Sequence, residues 1–138
     1  MNSQNLETLF STDYADIQLQ ANCLLVTWKQ YADDADFRTC ILKQIELVSE
    51  KNLYKILVDA RKFRGTSIES RKFVNESFNA LADKRGKHVL KALVVGDDVT
   101  GRFSLNKIVK DSVGKGKFYG VFNSVNEAQE WVNSHEPE

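Results

Sequence analysis

The stretch KILVDARKFRGTSIESRKF, Lys55–Phe73, decides how this chain folds. It opens inside YKILVD, Tyr54–Asp59, whose apolar run carries no polar alternation. Such a run predicts a strand covered on both faces, as in a parallel sheet. Asp59 closes the strand, and a basic loop follows with Arg61, Lys62 and Arg64 before Gly65. Thr66 or Ser67 can then cap a helix by accepting a free backbone N–H. Ser67 is followed three residues on by Ser70 rather than the Glu or Gln of a capping box. Val74, Phe78, Leu81 and Ala82 recur at helical spacing, and Gly86 predicts a stop after about Arg85. Strand, loop and helix in this order form the unit from which parallel sheets are wound.

The unit repeats downstream. KALVVG, Lys91–Gly96, is a second continuous apolar strand, and GDDVTGR reads as a loop. Leu105, Ile108, Val109 and Ser112 mark a third helix, stopped by Gly114-Lys115-Gly116. FYGVF, Phe118–Phe122, is the last strand. Ser124 and Glu127 make a capping box for a final helix that faces Ala128, Trp131 and Val132 inward, with Pro137 beyond its end. Upstream, YADIQLQ, Tyr14–Gln20, alternates like a half-buried strand, and CLLVTWKQ, Cys23–Gln30, follows a link short enough for an antiparallel hairpin. ETLF, Glu7–Phe10, offers a short extra strand. The Asp-rich YADDAD precedes a helix over about Asp36–Glu50, with Phe37, Cys40, Ile41, Gln44, Ile45 and Val48 on one stripe. The expectation is one α/β domain over 1–138. It has a mixed sheet of about five strands, antiparallel at the N-terminal hairpin and parallel later, with four helices. Residues 1–6 and 135–138 are expected to be frayed tails.

Composition narrows the function. Of 138 residues 42 % are hydrophobic and 28 % charged, enough for a real core. Nineteen basic residues balance nineteen acidic ones, so nothing biases the chain toward nucleic acid. No apolar run is long enough to span a bilayer, and MNSQNLETLF lacks the features of a signal peptide, which makes cytoplasm the expected compartment. Cys23 and Cys40 read as buried core thiols. GDDVTG lacks the Gly-Lys-Ser of a P-loop, and Gly114–Lys117 lies between a helix and a strand, the wrong context for one. No Gly-x-Ser-x-Gly elbow exists. His88 sits in a basic loop and His135 in the tail, both read as solvated. Asp33, Asp34 and Asp36 lack the spacing of a calcium loop and read as a helix start. No catalytic residue, metal or cofactor is expected.

ILVD before the second helix, ALVVGDD before the third and FNSVNEAQEWV at the end together resemble the SpoIIAA-like proteins of the STAS class. That fold is also similar to the CRAL-TRIO lipid-binding domain. The resemblance covers about Tyr14 to Ser134. It rests on an Asp ending a strand, a hydrophobic strand running into Gly-Asp, and a Phe-x-Ser-x-x-Glu-Ala-x-x-Trp tail. In STAS anti-sigma-factor antagonists, a Ser in an Asp-Ser-Ser-Gly motif opens the helix after the Asp-ending strand, and a partner kinase phosphorylates it. Here the junction reads Gly65-Thr66-Ser67-Ile68-Glu69, without the preceding acid or the following Gly. By position, the resemblance implies Ser67 or Thr66 as the phosphorylation candidates.

In open α/β sheets, ligands bind beyond the carboxyl ends of the strands. Two loops land there. One carries Asp59, Arg61, Arg64, Thr66 and Ser67, and the other carries Asp97, Asp98 and Arg102. They offer carboxylates, cations and helix N-termini, although such loops use Asp, Ser, Thr and Gly for capping and turning in any case. Phe63 and Phe73 fall off the clearest apolar stripes, which suggests exposed rings at a partner surface. The functional expectation is a non-enzymatic regulatory or protein-interaction module. Its partner is another protein, with a homodimer also compatible, and its contact face is the Asp59–Phe73 junction. The alternative, implied by the CRAL-TRIO likeness, is a carrier of a small apolar or amphipathic ligand. An enzyme with an Asp/Arg site at the strand ends is a distant third.

Overall fold

The computed structural model describes residues 6–111 and 118–136. It contains six strands and four helices, three strands first and then helix and strand in alternation. They are β1 (Glu7–Ser11), β2 (Ala15–Gln20), β3 (Cys23–Trp28), α1 (Asp34–Glu50), β4 (Lys55–Ala60), α2 (Ile68–Arg85), β5 (Leu90–Val95), α3 (Val99–Asp111), β6 (Tyr119–Phe122) and α4 (Val125–Ser134). One sheet contains all six strands in chain order. β1–β2 and β2–β3 pair antiparallel, and β3–β4, β4–β5 and β5–β6 pair parallel.

The mixed sheet and four helices agree with the sequence reading. The strand count does not, since ETLF is a full sixth strand rather than an optional one. Its pairing to β2 slips between Thr8 and Phe10, and this irregularity lets a short segment still reach Ser11 opposite Asp16. The third helix also begins earlier than expected. GDDVTGR is not all loop, because Asp98 accepts from the Gly101 N–H through Oδ2 and caps a helix that already contains Arg102. The first helix likewise starts at Asp34, because Asp33 accepts from the Asp36 N–H. The expected stop at Gly114–Gly116 lies outside the described residues, as do Ser112, Pro137 and parts of both expected tails.

Alternation on the strands sorts the core into two layers. On one face, Leu24, Val26, Ile56, Val58, Leu93 and Val95 meet Phe37, Cys40, Val48, Val74, Phe78, Leu105 and Ile108 from α1, α2 and α3. On the other, Cys23, Leu57, Ala92 and Val94 meet Ala128 and Val132 of α4. Burial on both sides explains the unbroken apolar runs of β4 and β5. Both cysteines are buried thiols. Loss of solvation pushes the thiol of Cys23 up to about 11 and that of Cys40 up to about 12, which keeps both protonated.

Phe63 corrects an expectation. It is 3 % exposed and sits within 6 Å of both Trp28 (5.5 Å) and Phe37 (5.8 Å), sealing the end of the core. Phe73 is half-buried, with the Arg38 guanidinium 5.7 Å from its ring centre. Nor is His88 a solvated loop residue, for its ring stacks on Phe118 at 4.1 Å.

Candidate functional site

β4 delivers its chain to the carboxyl end of the sheet at Asp59, and the following loop must turn into α2. Asp59 turns its carboxylate back onto Arg61. Oδ1 accepts from Arg61 Nε at 2.8 Å and Oδ2 from Nη2 at 2.7 Å, a bidentate ion pair, while Oδ1 also accepts from the Arg61 N–H. These bonds hold the Asp59 carboxyl below its usual range, so it stays ionised and is a poor proton donor. The pair lines a shallow surface depression of about 400 Å³ with Thr27, Trp28, Lys29 and Lys62.

The next turn approaches α3 closely. Gly65 has φ +101, a conformation that L side chains rarely adopt, and a side chain there would meet Thr100 Cγ2. Gly101 lies so near that an added Cβ would collide with the carbonyl oxygen of Phe63. The contact is fastened by Ser104, whose Oγ accepts from the Thr66 N–H at 3.0 Å and donates to the Thr66 carbonyl at 3.4 Å.

Ser67 then caps α2, accepting from the Ser70 N–H at 3.1 Å. Its own proton goes to Asp34 Oδ1 at 2.9 Å, and the same oxygen accepts from Ser70 Oγ at 2.9 Å and Thr66 Oγ1 at 3.3 Å. The Ser70 and Ser67 hydroxyls hold the Asp34 carboxyl below its usual range. Sequence reading places Asp34 only at a helix start. Its second role shows no local signal, because its partners lie more than thirty positions away. Ser70, likewise, stands out in sequence only for lacking a capping-box acid.

The candidates therefore divide. Thr66 and Ser67 join Asp34 and Ser70 in one hydroxyl–carboxylate cluster. Asp59 and Arg61 form a separate pair. Asp98 serves as the α3 cap, and Arg102 donates to the Gly96 carbonyl at 2.8 Å. Arg64 and Asp97 are exposed. Asp97, Asp98 and Arg102 do not line the Asp59–Arg61 depression. Phe73 lies further along α2, under Arg38. Exposed apolar side chains do occur here, but at other positions. Ile68 is 61 % exposed, Val99 80 % and Phe103 54 %, on the first turns of the two helices that Thr66 and Ser104 tie together. Arg71 donates to the Thr66 carbonyl at 3.1 Å and lies 5.6 Å from the Phe103 ring centre.

A small cavity lies between the sheet and helices α1–α3. Its volume is about 40 Å³, against roughly 300–1,000 Å³ for small-molecule pockets. Among the described residues no group of His, Cys, Asp or Glu is placed to hold a metal ion, and no helix is long and apolar enough to cross a membrane.

No family model and no curated protein sequence matches this chain. Solved structures do. An anti-sigma factor antagonist from Mycobacterium paratuberculosis superposes with a TM-score of 0.56 at 13 % identity, over 94 % of this chain and 96 % of its own. A Shewanella loihica protein with a SpoIIAA-like fold gives 0.53 at 14 %, over 96 % and 98 %. The anti-sigma factor antagonist SpoIIAA in its unphosphorylated form gives 0.52 at 8 %, over 94 % and 99 %. The likeness spans the whole architecture, and the fold of this chain is SpoIIAA-like.

Proposed function

We propose that this chain is a non-enzymatic regulatory module of the STAS type that binds another protein through the first turns of α2 and α3. The observation that carries this reading is the exposure of Ile68, Val99 and Phe103 on those turns. The turns themselves are held rigid by Ser104, Gly65 and the Ser67 cap. Apolar side chains fixed on a rigid surface and flanked by Arg64, Arg71 and Arg102 have the composition of a protein-binding patch, with an apolar centre and a polar, Arg-rich rim. The neighbours that are anti-sigma factor antagonists support a regulatory protein as the partner class.

Ser67 and Thr66 are the proposed modification sites. A phosphate on Ser67 gains from the α2 N-terminus but sets its charge against Asp34, which now accepts the Ser67 proton. Modification therefore frees α1 from the start of α2 and changes the charge of the contact face together.

The test is affinity capture from the source organism with the wild-type chain and with Ile68→Arg and Phe103→Arg. Both positions are exposed, so the variants are expected to fold. Loss of the same partner from both variants supports the face. Retention of every partner by both rules it out.

A further inference from the structure

Lys91 begins the core face of β5, beside Ile56 of β4 and Tyr119 of β6 in the register. It is 4 % exposed, and its ammonium stem runs into the main core rather than out to solvent. Nζ donates to Tyr119 Oη at 3.1 Å and sits 3.0 Å from the centre of the Phe78 ring. No carboxylate pairs with it among the described residues. The groups offered by the packed elements are neutral: Gln44 from α1, Phe78 from α2, Leu105 and Ile108 from α3, and Tyr119 from β6. The 40 Å³ cavity lies against this amine, and it is not fully enclosed.

Burial without a paired carboxylate disfavours the ammonium form of a lysine. Burial holds the Lys91 amine well below the usual lysine range and pushes the Tyr119 phenol up, which favours the uncharged form of each. A neutral amine has a free electron pair. Ordinary surface lysines expose such a pair in only about one molecule per thousand at pH 7. Desolvation in an apolar pocket is one of the ways a lysine becomes a carbonyl nucleophile. The cavity exceeds the roughly 10–15 Å³ needed for one water and is well below the ~150 Å³ that admits benzene. It suits a compound of two or three carbons.

We infer that Lys91, with Tyr119, forms a covalent binding site for a small aldehyde or ketone, held as an imine in the cavity between the sheet and helices α1–α3. The Nζ electron pair bonds to the carbonyl carbon, and a proton moves from nitrogen to oxygen to give a carbinolamine. The nitrogen pair then expels the hydroxyl, which leaves as water by taking the Tyr119 proton. The iminium N–H proton returns to Tyr119 oxygen. One C=N bond forms, one water is released, and nothing is oxidised or reduced.

The test incubates the full chain with acetaldehyde and a mild hydride donor at about pH 6, where surface lysines are protonated, and maps ethylation by peptide mass spectrometry. Ethylation of Lys91 is expected at least about tenfold faster than at any surface lysine, whose neutral fraction at pH 6 is below about one in ten thousand. Lys91→Met abolishes the fast site, and Tyr119→Phe, which keeps the ring, slows it. Circular dichroism establishes that each variant is folded. Labelling spread over surface lysines, with Lys91 reacting only after denaturation, overturns the proposal. So does a fast site that survives Lys91→Met.

Discussion

The Ser67 hydroxyl donates to the Asp34 carboxylate at 2.9 Å, across 33 positions of chain, and joins the first turns of α1 and α2. A single carboxylate oxygen thus orients the cap of the helix that follows the central strand. Ser67→Ala removes the cap and is expected to lower stability by about 1 kcal/mol. Asp34→Ala also destabilises, and the double variant loses less than the sum, because both changes break the same bond. Urea unfolding of the four proteins measures this coupling; strict additivity would contradict it.

The same carboxylate has a predictable pH dependence. Its folded value is lowered, so the unfolded chain binds the proton more readily as acid is added. The stability it contributes is fully present above the ordinary value of about 3.9 and is lost as pH falls through the lower folded one. The stability gap between wild type and Asp34→Ala should be constant near neutrality and close in acid. A gap unchanged down to about pH 2 would show that the hydroxyl bonds do not act through the ionised form.

Phe63 lies in a loop by sequence but in the core by structure. Phe63→Ala opens a hole beside Trp28 and Phe37, and the expected loss is about 3–5 kcal/mol. Phe73→Ala, at a half-buried site, should cost clearly less. Denaturant midpoints decide the order, and equal costs would mean that Phe63 is not the seal it appears in the packing.

Gly101→Ala tests the seam between the two loops. Alanine is the better helix former by about 1 kcal/mol, yet its Cβ would collide with the Phe63 carbonyl. Net destabilisation is expected. Net stabilisation, measured by thermal unfolding, would mean the seam yields easily.

Lys91→Met should raise the melting temperature at neutral pH. Burial lowers the amine's folded-state pKa, so the unfolded chain binds the proton more readily and wild-type stability rises with pH toward the unfolded lysine value of about 10.4. The advantage of Met therefore shrinks as pH rises. A wild-type protein more stable than Lys91→Met at neutral pH would imply a charged, well-solvated amine.

The sequence by itself determined the repeating strand–helix order, because each signal is local. Unbroken apolar runs mark β4 and β5, Ser67 and Ser124 cap the helices that follow them in the chain, and Gly86, at φ +76, ends α2. Strand direction also placed both candidate loops at the carboxyl ends of β4 and β5. The sequence did not show where α3 starts, because Gly101 weakens the helical pattern, and its reason for being Gly is a carbonyl from another loop. Nor did it show β1 as a full strand, Asp34 as the oxygen shared by three hydroxyls, or Lys91 as a buried amine with no paired carboxylate among the described residues. Those were decided by tertiary structure alone. Pairing, hydrogen bonding and desolvation depend on groups distant in the chain, and only packing the helices against the sheet brings them within reach.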